Sequence, residues 1–121
     1  MEAAPDPDTQ ALRIGPLEVR PGEDLALADG RPLVLSVREH AVLVALARRA
    51  DRIVSRDDLY ALAWGRDLRP GDRSVDVYVH RLRAKLEAAL PGWELIHTHI
   101  GFGYRLSAER SHAFHTDATA R

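Results

Sequence analysis

The chain has 121 residues, 45% of them hydrophobic and 29% charged, with a formal net charge of −1 and no cysteine. That length supports one modest core and hence one domain, and the missing cysteine excludes disulfides, thiolate catalysis and sulfur-liganded metal centres. No apolar run approaches the ~18 residues a membrane span needs, and no signal-peptide pattern opens the chain, so the expected location is cytoplasmic with no membrane partner.

The small net charge conceals a split. Residues 1–35 carry 3 basic and 7 acidic side chains, whereas residues 66–85 carry 6 basic and 3 acidic. A polyanion responds to the local field rather than the total, so the second stretch is where nucleic acid would land. All basic residues but Lys85 are arginine, which suits forked contacts to phosphate and base, although the codon bias of a GC-rich genome produces the same excess.

In chain order, residues 1–11 are rich in Pro and Asp without periodicity and read as a disordered leader or linker. From Leu12 to Leu35, short apolar bursts alternate with the breakers Gly15-Pro16, Pro21-Gly22 and Asp29-Gly30. This is the pattern of a small antiparallel sheet, with Asp29-Gly30 its clearest hairpin turn. Ser36 and Glu39 form a capping box for a helix from about Val37 to Ala50, burying Val37, Val42, Leu43, Leu46 and Ala47. After a brief extended link at Ile53-Val54, Ser55 opens a second helix with Asp57 and Asp58 in its first turn; it turns Leu59, Leu62 and Ala63 inward and ends near Trp64-Gly65. Trp64 is expected in the core.

The stretch Asp72 to Leu90, bounded by Pro70-Gly71 and Pro91-Gly92, is a third helix capped by Asp72. Val75, Val79, Leu82, Leu86 and Leu90 recur at helical spacing and form one buried stripe. The opposite face carries Arg73, Val77, His80, Arg81 and Ala84, with Arg83 on the flank. Arginine can fork to guanine and an aliphatic side chain can touch a thymine methyl, so this face suits major-groove reading. An ordinary amphipathic helix with solvated arginines fits the same pattern.

Beyond it, Trp93 to Ile100 and Tyr104 to Leu106 flank Gly101-Phe102-Gly103 as a hairpin. The fold class is therefore α+β: N-terminal antiparallel sheet, three helices, C-terminal hairpin, an ordered unit over residues 12–107, then a flexible tail over 108–121 with Phe114, His112 and His115. His97 and His99 could face one side of a strand, but no third ligand is placed near them, so no metal is expected. No nucleophile–base pairing or phosphate-cradling loop before a helix is present; neither an enzyme nor a cofactor is expected.

Three helices, the last exposed and basic and followed at once by a hairpin, describe a winged helix-turn-helix. The segments Leu35-Ser36-Val37-Arg38-Glu39, Ile53-Val54-Ser55-Arg56-Asp57-Asp58-Leu59, Trp64-Gly65, Arg73-Ser74-Val75-Asp76-Val77, Arg81-Leu82-Arg83-Ala84-Lys85-Leu86 and Gly101-Phe102-Gly103-Tyr104-Arg105 together resemble the OmpR/PhoB-type DNA-binding domain of bacterial two-component response regulators. The resemblance implies a third helix in the major groove and a wing near the minor groove of double-stranded DNA, with tandem protomers on direct-repeat sites. By motif it implies that Arg73, Ser74 and Arg83 meet phosphates and that Val77 and Arg81 face base edges. Tyr78 and His80 fall at contact positions, with residues other than the common ones, and Thr98 matches a backbone-contacting position on the wing. Where the family often has arginine before the first wing glycine, this chain has Ile100. The loop Arg66-Asp67-Leu68-Arg69 corresponds to the segment that touches RNA polymerase in activators. A receiver domain does not fit in this length, so the resemblance implies either the effector part of a longer regulator or a stand-alone relative. The second functional reading is a protein-interaction module that keeps the fold and contacts polymerase or a partner regulator instead of DNA.

Overall fold

The computed structural model describes residues 10–111. Four short strands, β1 (Leu12–Ile14), β2 (Leu17–Arg20), β3 (Leu25–Ala28) and β4 (Arg31–Pro32), form an antiparallel meander in the order β1-β2-β3-β4. Asp29 and Gly30 both have positive φ, 49° and 79°, the double left-handed conformation that matches the twist of a two-residue hairpin. One face of this sheet, Ile14, Leu17, Val19, Ala26 and Ala28, is buried, as period-two alternation requires.

Helix α1 (Val37–Ala47) lies against β1 and β2. Its capping box is complete: Ser36 Oγ accepts from the Glu39 N–H at 3.1 Å, and Glu39 Oε1 accepts from the Ser36 N–H at 2.8 Å. The helix stops at Ala47, three residues before the expected end, because Arg48 to Ala50 close into turns and Asp51, at φ 69°, donates its N–H to the Leu106 carbonyl. Val37 is not core. It is the first helical residue, directed away from the sheet, and is 89% exposed.

Strand β5 (Ile53–Val54) leads into α2 (Arg56–Trp64), capped by Ser55 Oγ at its start and by Gly65, φ 76°, at its end. Leu59 and Tyr60 are buried, but Leu62 is exposed. Tyr60 and Trp64 stack at 4.7 Å and draw the buried side of α2 about 130° round the axis from Leu62. Trp64 itself is half-buried at the edge of the core rather than inside it.

Helix α3 (Ser74–Ala89) buries Val75, Val79, Leu82 and Leu86, and Leu90 follows them inward. Its N-cap is Arg73, one residue later than expected; Asp72 instead accepts the Ser74 N–H at 2.8 Å and the Ser74 hydroxyl at 2.6 Å. Strands β6 (Trp93–His99) and β7 (Gly103–Arg110) then form a long hairpin, and β5 pairs with β7, giving a second sheet ordered β5-β7-β6.

Strand β7 runs to Arg110, so residues 108–110 are strand and not flexible tail. Their polarity hides the pairing: Trp93 opposes Arg110, whose guanidinium lies 4.3 Å from the indole ring, and Ala108 packs under the β1–β2 turn at Gly15. Residues 1–9 of the leader expected over 1–11, and the tail residues His112, Phe114 and His115, lie outside the described residues. No helix among the described residues is long and apolar enough to cross a membrane.

Candidate nucleic-acid interface

The side of the molecule formed by the outer face of α3 and the β6–β7 wing collects most of the residues singled out in the sequence. Because the stripe from Val75 to Leu90 is buried against α1, α2 and β6, helical geometry forces Arg73, Val77, His80 and Arg81 outward. All four are exposed, Val77 at 43%. Tyr78 is only half-exposed; its ring meets Trp64 edge-on at 5.5 Å, and the Arg81 guanidinium sits 5.2 Å from its centre. This cation–π contact pre-orders Arg81 on the surface.

Arg83 points toward the wing and donates to Thr98 Oγ1 at 2.8 Å. That bond bridges α3 and β6, so two of the expected phosphate contacts form one polar unit. Ser74 is half-buried and held by Asp72, whose carboxyl is kept below its usual pKa chiefly by the two Ser74 hydrogen bonds. In the loop between α2 and α3, Arg66, Asp67 and Arg69 are exposed, whereas Leu68 turns in against the core. Arg66 is tied back to α2, donating to the Tyr60 hydroxyl at 3.2 Å.

Three residues to which the sequence assigns no part in DNA contact complete the site. Asp76, on the first turn of α3, accepts from Arg56 Nε at 3.1 Å and Arg56 Nη2 at 2.9 Å, and from the Tyr104 hydroxyl at 2.5 Å; Arg73 Nε lies 3.7 Å away. Burial, and then the neighbouring Asp76 carboxylate, push the Tyr104 phenol up to about 12, so it stays a proton donor at neutral pH. The signal available in the sequence was a pair of opposite charges, Arg56 and Asp76, on adjacent predicted helices, but their separation of 20 positions names no partner.

The wing is anchored at its root. A Cβ on Gly103, at φ 143°, would meet the Val54 carbonyl oxygen at 2.1 Å, so only glycine lets β7 approach β5 this closely. At the tip Ile100 and Phe102 are 91% and 73% exposed. His97 and His99 are occupied within the hairpin: His97 Nε2 donates to the Ser107 carbonyl at 2.9 Å, and Arg105 Nε donates to His99 Nε2 at 3.0 Å. Among the described residues no group of three His, Cys, Asp or Glu side chains could hold a metal ion.

Comparison with known proteins gives this geometry a family. The sequence model described as "Transcriptional regulatory protein, C terminal" matches residues 30–106. The chain is 38% identical over 95 residues to the alkaline phosphatase synthesis transcriptional regulatory protein SphR of Synechococcus elongatus, an alignment covering 78% of this chain and 37% of that protein. It is 37% identical over 98 residues to the transcriptional regulatory protein PrrA of Mycobacterium tuberculosis, covering 81% of this chain and 42% of the relative. It therefore spans about two-fifths of the length of these relatives. Among solved structures, the DNA-binding domain of E. coli CpxR superposes with a TM-score of 0.74 at 33% identity, covering 83% of this chain and 99% of that one. The Klebsiella pneumoniae RstA DNA-binding domain in complex with the RstA box gives 0.71 at 32% identity, covering 81% and 97%. With these matches in sequence and in three dimensions, the winged helix-turn-helix described above belongs to the OmpR/PhoB-type family of C-terminal transcriptional regulatory domains.

Proposed function

We propose that this chain binds double-stranded DNA in a sequence-dependent manner as the effector part of a bacterial transcription regulator, with α3 in the major groove and the β6–β7 wing at the adjacent minor groove. The observation that carries this reading is the uncovered face of α3: Arg73, Val77, His80 and Arg81 project together beside a wing joined to the same helix by Arg83 and Thr98. A helix presenting arginines and an aliphatic side chain matches the donor and methyl pattern of base edges. The RstA relative, a DNA-binding domain solved in complex with the RstA box, supports the DNA-binding reading. In this reading Arg73, Ser74, Arg83 and Thr98 take phosphates, Val77 and Arg81 face bases, and Tyr78 and His80 border the contact. Arg66, Asp67 and Arg69 form the surface offered to RNA polymerase, and tandem protomers occupy direct repeats.

The test is selection of binding sites from a random duplex pool at two salt concentrations. Enriched direct repeats about one helical turn apart, with affinity falling steeply in salt, are the expected result. The exposed apolar wing tip, Ile100 and Phe102, favours a protein partner as the second reading. No enrichment together with flat salt dependence would establish that reading instead.

A further inference from the structure

A carboxylate at the DNA-facing start of α3 runs against electrostatics. Asp76 is about one-third exposed and stands beside Arg73, where its charge opposes the approach of a phosphate chain. Its contacts offset that. One oxygen takes the Tyr104 hydroxyl from β7 and Arg56 Nε from α2; the other takes Arg56 Nη2. Arg56 Nη2 also reaches the Asp72 carbonyl at 3.4 Å, just before α3. A single side chain thus gathers the first residue of α2, the first turn of α3 and the root of the wing. Tyr104 sits directly opposite Thr98 on β6 and Val54 on β5, and it follows Gly103, where any Cβ would collide with the Val54 carbonyl. Rotation of the hairpin about its root would have to break these contacts together.

We propose that Asp76 is a positioning residue that locks the wing to the first turn of α3 through Tyr104 and Arg56, and so sets how far from the major-groove face the wing meets the duplex. This inference rests on the DNA-binding reading above. It assigns to Asp76 an action through Tyr104 and the wing, not a contact with DNA. It also separates two effects of opposite sign: loss of a negative charge beside a polyanion strengthens binding, and loss of the lock weakens it.

The experiment uses the whole chain and a duplex carrying the selected site, read by affinity and by hydroxyl-radical footprinting at nucleotide resolution. Asp76→Asn removes the charge, and Tyr104→Phe removes only the hydroxyl that reaches it. Each should weaken binding about tenfold, the size of one charge-assisted hydrogen bond. Protection should disappear from the flanking minor groove beneath the wing, while the base preference beneath α3 stays as in the wild type. Thermal melting of both variants gives the folded fraction at assay temperature. Tighter binding by Asp76→Asn, or a footprint that fades evenly in step with the folded fraction, would overturn the proposal. Wild-type protein that protects no duplex would overturn the DNA-binding reading, and the lock with it; failure of the lock alone leaves the wild-type footprint intact.

Discussion

Leu82 lies at the centre of the buried stripe of α3, fully enclosed between neighbours, and the preceding residue, Arg81, is exposed with its guanidinium over Tyr78. One step of about 100° separates core from surface here, so substitutions at the two positions must fail in different ways. Leu82→Ala should destabilise the fold by about 2–5 kcal/mol through a core cavity, measured by chemical denaturation; an unchanged midpoint would mean the packing around α3 differs from that described. Arg81→Ala should leave the midpoint almost unchanged and cost about 1–3 kcal/mol of binding, relaxing preference at one base position. Arg73→Ala should weaken all sequences alike, as a phosphate contact does. Equal loss on every sequence for Arg81, or a loss at one base position for Arg73, would exchange their roles.

At the scale of elements, α1 and α3 are joined by Lys85, which donates to Glu39 Oε1 at 2.6 Å and to the Val34 carbonyl at 2.9 Å. Glu39 is buried, and burial alone would raise its pKa. The hydrogen bonds from Lys85 and from Ser36 outweigh that and hold the carboxyl below its ordinary value of 4.5. A depressed folded-state pKa stabilises the protein above the unfolded value, and this stabilisation is lost as pH falls through the folded value. Lys85→Met removes the partner and leaves a buried carboxylate short of a donor. It should cost about 1–3 kcal/mol at neutral pH, and the gap to wild type should narrow as pH falls through the carboxylate range. A gap independent of pH, in urea denaturation at several pH values, would show that Lys85 acts through its aliphatic stem alone.

For the whole molecule, net charge is −1, so DNA affinity depends on where the arginines stand rather than on how many there are. The acidic residues Glu18 and Glu23 belong to the N-terminal sheet and its turn, where Arg13 and Arg20 pair with them. Arg73 caps α3, Arg81 stands on its exposed face, and Arg83 reaches the wing through Thr98. Each phosphate neutralised contributes roughly −0.9 to the log–log salt slope on duplex DNA. The wing tip offers a direct test, because Ile100 is almost wholly exposed. Ile100→Arg places a charge where the minor groove is expected, and it should strengthen binding and steepen the slope by about 0.9. An unchanged slope would mean that the tip does not approach the backbone.

Local patterning in the chain was enough for the element order, the two faces of α3, the capping box at Ser36 and Glu39 and the hairpin turn at Asp29-Gly30, because each depends on residues within a few positions of one another. The outward set on α3 was legible for the same reason: once five apolar positions share a stripe, the remainder have only one side to occupy. What tertiary structure decided is whatever joins distant positions. The pairing of β5 with β7, the extension of β7 through polar residues to Arg110, and the exposure of Val37 and Leu62 all follow from which element packs where. The meeting of Arg56, Asp76 and Tyr104 belongs there too. A hydrogen bond between side chains 28 positions apart leaves no periodic trace in sequence, since its partners are brought together by the core beneath them and not by the chain between them.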